Sequence, residues 1–163
     1  MKRIPVKKIA YSAVVAAMYF ALTLLLQPIS FGPVQFRLSE ALVMLPYIMP
    51  ESILGITIGC AAANAFSTFP LYDVIFGSLA TLIAGILTSK IKTAWLAGLP
   101  PVLLNALVLP LTWYLLGTDA AYWVNLISIT LSEAVVIFFI GVPLVLLIKK
   151  KVPSLVTRKA FLD

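Results

Sequence analysis

The sequence predicts an all-α integral membrane protein, a compact bundle of six transmembrane helices with both termini cytoplasmic. Three observations predict it. Hydrophobic residues make up 62% of the 163 and charged residues only 11%, against about 25% charged in an ordinary soluble domain. Mean hydropathy is +1.09, and the apolar residues fall into runs of the length a ~30 Å hydrocarbon core demands. The net charge of +6 sits between and after those runs, as positive-inside topology requires. So little polar surface excludes a soluble enzyme, a disordered tail and a nucleic-acid-binding module. With no histidine in the chain, His-based metal sites and His general-base chemistry are excluded, and no metal site or cofactor is expected. A lone cysteine, Cys60, leaves no disulfide within the chain.

The elements follow in order. Residues 9–26 form the first apolar run, behind Lys2, Arg3, Lys7 and Lys8. The run exceeds a signal peptide's apolar region, and Gln27-Pro28 follows it in place of a small-residue cleavage site. It reads as a retained helix. The 38–68 region is too long for one span, about 46 Å as a single α-helix, and Pro50-Glu51 divides it into 38–49 and 51–68. Charge decides the division. The amino end, the Lys90/Lys92 loop and the carboxyl tail are the basic segments, and all three share one side only if an even number of helices precedes Lys90. Five spans is the competing count. Helices at 71–89, 94–116 and 121–148 complete the set. The reading is one membrane domain over 1–163, with 149–163 as a basic cytoplasmic tail.

Acids within apolar runs carry the functional signal, because a charge at the bilayer centre costs roughly 2.5–3.5 kcal/mol on insertion scales. Glu133 lies about 18 Å below the outer end of the last run and Asn105 about 16 Å deep in the one before it. They sit at matching depth on neighbouring helices. Asn125, Ser128, Ser132 and Glu133 share one helical sector, which must face protein or water. The bland alternative is interhelical glue, Glu133 bonded to Asn105 and nothing else. Glu40 and Asp73 stand at helix starts, where solvated acids favoured by the helix dipole are common and Arg37 would pair with Glu40 at i, i+3. The functional alternative is a pocket with acidic walls, to which Asn64, Ser67, Thr68 and Tyr72 add hydrogen-bonding groups. Trp113, Tyr114, Tyr122 and Trp123 read mainly as an interfacial aromatic belt, with one or two free to stack on a flat ligand. Ala13, Ala17 and Ala21 recur at four-residue spacing, as do Gly55, Gly59 and Ala63. Such rows let helices approach closely; on a peripheral helix they suit docking of another membrane subunit, on an internal one packing.

The stretch GPVQFRLSEALVMLPYIMPESILGITIGCAAANAFST from Gly32 to Thr68, followed by YDVIFGSLATLIAG from Tyr72, resembles the QueT family of queuosine-precursor transporters. The resemblance is densest over Phe36-Arg37-Leu38-Ser39-Glu40-Ala41. It implies a substrate-binding S component of an energy-coupling factor importer in a bacterial cytoplasmic membrane. Such a protein captures a 7-deazaguanine, especially 7-aminomethyl-7-deazaguanine, and works with a transmembrane coupling subunit and two separate ATPase subunits. Ala13-Val14-Val15-Ala16-Ala17 matches the family's small-residue motif at the coupling interface, which extends here to Ala21. A guanine-like edge offers an N–H and an amino group side by side, so Glu133 with Asn105 is expected to take that edge. Glu40 or Asp73 would take the cationic aminomethyl arm, with Arg37, Asn64, Tyr72, Asn125 and Trp123 around the ligand. Competing readings are an S component for another vitamin or base, a small membrane enzyme, and a purely structural subunit. No phosphate-binding loop or nucleophile–base pair supports an enzyme.

Overall fold

The computed structural model describes residues 6–31, 35–117 and 121–158. Lys2, Arg3 and most of the 117–120 connection lie outside them. Among the described residues the secondary structure is helical throughout. Four helices are long and apolar enough to cross a bilayer: α1 at Val6–Leu25, then, after a shorter α2 at Ser52–Asn64, α3 at Pro70–Lys90, α4 at Ala94–Leu115 and α5 at Tyr122–Lys151. Between α1 and α2 lies a second short apolar element, a 3₁₀ helix at Leu38–Tyr47.

That 3₁₀ helix changes the expectation for 38–49. At about 2.0 Å per residue, its 10 residues reach about 20 Å, where the same residues as α-helix reach about 15 Å. A 3₁₀ helix is also thinner, and this one is enclosed: every residue from Ser39 to Tyr47 is buried. It touches α1, α2, α3 and α5, and Val43, Met44, Leu45, Tyr47 and Ile48 sit in the main apolar core. The outer shell is apolar in the opposite direction. Val14, Met18, Leu54, Ile58, Leu107, Leu131 and Phe139 are all exposed, a surface that suits lipid and would not suit water.

α1 is the least buried of the long helices. Val15, Tyr19 and Thr23, four residues apart, form its one buried line. Ala13, Ala17 and Ala21 face outward, exposed. The glycine row on α2 has the other role. A Cβ on Gly55 would lie 2.1 Å from the Ser12 carbonyl oxygen, and one on Gly59 would lie 2.6 Å from that of Ala16. These glycines exist so that α1 and α2 can touch backbone to backbone. One small-residue row is thus internal packing and the other an open stripe.

The boundaries otherwise shift modestly. α2 ends at Asn64 rather than 68, and α5 continues through Lys149–Lys151, so those lysines form its last turn. Two helices contain a wide, π-type stretch, Asp73–Gly77 in α3 and Val136–Gly141 in α5. Each lies beside an intramembrane acid, at places where such bulges commonly re-aim side chains.

Beyond α5 the chain turns back as a strap. The backbone N–H groups of Thr157 and Arg158 both donate to the Ile48 carbonyl, at 3.0 and 3.1 Å. Arg158 is buried, and its Nη1 donates to the Tyr47 and Ile91 carbonyls at 3.1 and 2.8 Å. The Thr157 hydroxyl donates to Glu51 Oε2 at 2.7 Å, and Glu51 Oε1 faces Lys8 Nζ at 3.6 Å. The Tyr47 hydroxyl donates to the Lys92 carbonyl at 3.0 Å. The strap therefore ties one end of the 3₁₀ helix to α1 and to the α3–α4 connection.

Candidate functional site: a buried carboxylate cluster

At the opposite end of the 3₁₀ helix the buried groups are acids. Glu40 comes from its first turn, Asp73 from the π-type stretch of α3, and Glu133 from α5. All three are buried, at 1%, 1% and 7% exposure. Glu40 and Asp73 are therefore not solvated helix starts, and the expectation that allowed for them is corrected. Burying carboxylates is costly unless hydrogen bonds or opposite charge compensate them.

The compensation is partial. Glu133 Oε1 accepts from Asn105 Nδ2 at 2.7 Å, the bond that matching helix depth allows and that the interhelical-glue alternative expects. Glu40 Oε1 accepts from the Tyr19 hydroxyl at 2.5 Å, and Asp73 Oδ1 accepts from Trp113 Nε1 at 2.8 Å. In each of the three, the second oxygen is buried with no hydrogen-bond partner: Glu40 Oε2, Asp73 Oδ2 and Glu133 Oε2. The Ser67 hydroxyl close by is likewise unpartnered. A network satisfied on one side only is expensive to keep, and each such group in a native protein needs a reason: a water, an ion, a chemical role or a bound molecule.

Arg37 is the one basic residue that joins this cluster among the described residues. It does not ion-pair with Glu40 as i, i+3 spacing suggested. Its Nη1 donates to Asn64 Oδ1 at 3.0 Å, its Nη2 to Gln35 Oε1 at 3.1 Å, and its Nε to the Ser30 carbonyl at 3.4 Å. The guanidinium also lies over the Phe31 ring at 4.9 Å. Asn64 then passes the connection on: its Nδ2 donates to the Asp73 carbonyl at 2.8 Å and to Cys60 Sγ at 3.3 Å. Cys60, 1% exposed, is 3.3 Å from the Thr81 hydroxyl. Thr23 and Ser39, 2.7 Å apart, flank Glu40.

The structure thus brings together Glu133, Asn105, Glu40, Asp73, Arg37 and Asn64. It does not bring in all the residues that the sequence suggested. Trp123 is 71% exposed and packs edge-on to Tyr122 at 5.1 Å, away from the acids. Tyr72 precedes Asp73 but stays partly exposed. Asn125 is partly buried, about 12 Å along α5 from Glu133. Two residues were missed. Tyr19 reads in sequence as one more apolar residue of the first helix. Trp113 reads as belt, yet it is 3% exposed and wedged among Leu109, Ala106 and Ile129, with Phe69 at 5.7 Å. The i, i+4 line Val15–Tyr19–Thr23 was the available signal for Tyr19, since its two ends bracket a hydroxyl at core depth. An apolar groove of about 500 Å³ runs along the outside of α5, lined by Phe36, Val124, Ile127, Ser128, Leu131, Ser132 and Val135. Of its lining residues, Phe36 and Ser132 directly precede Arg37 and Glu133 in the chain, and none of the three acids lines it.

The family model described as QueT transporter matches residues 9–150. A curated protein of Lactococcus lactis subsp. cremoris (strain MG1363), the "Queuosine precursor transporter QueT", is 42% identical over 85 residues. That match covers 51% of this chain and 50% of the relative, so the chain spans about half the length of the curated relative it matches. No solved structure matches.

Proposed function

The chain belongs to the QueT transporter family, and from that premise we propose that it captures a queuosine precursor, a 7-deazaguanine, and delivers it across a bacterial cytoplasmic membrane. In this reading it is the substrate-binding S component of an energy-coupling factor importer. A transmembrane coupling subunit docks on the Ala13, Ala17 and Ala21 stripe, and two ATPase subunits supply the energy. The protein is itself no enzyme. The 3₁₀ helix and α2 act as two short spans, which makes six passes and places both termini in the cytoplasm with the basic residues.

The observation that carries the reading is the cluster of three buried carboxyls, each with a free oxygen. A flat heterocycle rich in N–H groups supplies the donors those oxygens lack, and its binding replaces the water lost on burial. Asn64, Asn105 and Arg37 give the site orientation as well as charge. The exposed alanine stripe supports the docking role because the other small-residue row is consumed by packing against α1.

Two measurements test this. Mass spectrometry of the small molecule that copurifies with the protein should find a 7-deazaguanine. Equilibrium binding to purified protein should rank 7-aminomethyl-7-deazaguanine above guanine and riboflavin. A preference for riboflavin, or for no member of the panel, sinks the assignment.

A further inference from the structure

Asp73 is gripped at two points by elements other than its own. Its Oδ1 accepts from Trp113 Nε1 of α4 at 2.8 Å, and its main-chain carbonyl accepts from Asn64 Nδ2 of α2 at 2.8 Å. That leaves Oδ2 as the carboxyl oxygen with no hydrogen-bond partner. Asp73 also opens the π-type stretch Asp73–Gly77, where the helix departs from α geometry. A side chain inserted into a helix's hydrogen-bond ladder is one cause of a local break, and wide turns of this kind recur at functional sites.

The chemistry of Asn64 suits that donation. It is fully buried, and it is the last residue of α2. Arg37 Nη1 donates to its Oδ1 at 3.0 Å. A guanidinium only donates and a main-chain carbonyl only accepts, so the order is forced: the amide oxygen turns to Arg37 and the amide nitrogen to Asp73. Nδ2 also donates to Cys60 Sγ at 3.3 Å, so both amide N–H groups are spent inside the protein. The facing backbone has room for the amide only because residue 77 is glycine. Gly77 has ordinary helical dihedrals, φ −65° and ψ −43°, so conformation does not demand glycine there. Space does: a Cβ would lie 2.8 Å from Asn64 Nδ2, with Leu109 Cδ2 next at 3.3 Å.

We propose that Asn64 is a positioning residue and not a ligand-binding one: with Gly77 making room for it, its amide sets the backbone at Asp73 so that, with Trp113 on Oδ1, the carboxyl presents Oδ2 to the guest. This deepens the functional reading above and rests on it. It moves Asn64 from the residues expected around the ligand to those that hold one of them in place, and it makes Gly77 part of the same device.

The test is a pair of double-mutant cycles, read as equilibrium binding of 7-aminomethyl-7-deazaguanine to purified protein, with thermal melting as the check on folding. Asp73→Asn should weaken binding about ten- to hundredfold, as loss of a charge-assisted hydrogen bond does. Asn64→Ala should weaken it about tenfold, and only through Asp73. The variant carrying both changes should therefore bind within about threefold of Asp73→Asn alone, since residues that act through one another are not additive. Gly77→Ala should repeat this pattern with Asp73→Asn, because the added methyl displaces the same amide, and it carries the test if Asn64→Ala does not fold. Once Asn64→Ala is in place, adding Gly77→Ala should cost less than about twofold. Losses that multiply in the Asp73 cycles, or wild-type affinity in any folded single variant of the three, overturn the positioning role while the transport reading stands. Failure of the folded wild type to bind this compound overturns the transport reading and this one together.

Discussion

The two ends of the 3₁₀ helix handle buried polar groups in opposite ways. At the Tyr47 end the carboxyl-terminal strap makes local pairings: Arg158 caps two carbonyls, Thr157 bonds Glu51, and Glu51 reaches Lys8. At the Glu40 end three carboxyls are each satisfied on one oxygen only. Arg158 at the Tyr47 end is buried as the acids are, so burial alone does not mark function. The difference is in number: three carboxyls each keep an oxygen without a hydrogen bond at the Glu40 end, against Glu51 at the Tyr47 end, whose Oε1 faces Lys8 at 3.6 Å. A polar network that closes on itself holds a structure together, whereas open buried acceptors ask for a further partner, which the proposed guest supplies.

Four experiments can break or sharpen that contrast. The largest effect is expected at the open end. Glu133→Gln should weaken 7-aminomethyl-7-deazaguanine binding by about 1.5–3 kcal/mol, yet leave the melting temperature of the ligand-free protein unchanged or higher, because an incompletely paired buried charge is removed. A variant that melts far lower, with binding lost through unfolding, would show that the acids are structural after all. The closed end should give the reverse pattern. Arg158→Ala leaves two carbonyls without their donor and should cost about 2 kcal/mol of stability, read as a lower melting temperature in detergent, with affinity within about twofold of the wild type. An intermediate case is Trp113→Phe, which keeps most of the ring but drops the donor to Asp73. A loss of about 1 kcal/mol in affinity for 7-aminomethyl-7-deazaguanine, roughly fivefold, is expected by calorimetry. Smallest of all, Trp123→Ala should alter affinity less than about twofold, since an exposed side chain away from the acids has little to lose; a larger drop would return the aromatic belt to the site.

Much of this contrast was legible in the sequence. Depth matching placed Asn105 opposite Glu133 because helix rise is fixed, and the two do bond. The 38–49 run was harder. Its residues satisfy an α-helical and a 3₁₀ reading alike, and only the surrounding helices decide that a thinner, longer rod fits between them. Glu40 and Asp73 looked like ordinary helix-start acids because position in a run gives depth along the helix but not direction around the bundle. Tyr19 and Trp113 escaped for a related reason. Each is apolar enough to belong in any membrane helix, and its one polar atom matters only through a partner 21 or 40 residues away. The strap was invisible too, since Arg158 in a basic tail reads as a solvated charge until a carbonyl pair receives it.

The thinness of α1 has a consequence of its own. Tyr19 grips Glu40 from one side of that helix, while Ala13, Ala17 and Ala21 lie bare on the other. An α-helix is about 10 Å across. Whatever presses on the bare side is therefore a single cylinder's width from the acid that Tyr19 holds, and any roll or tilt of that cylinder is felt there at once.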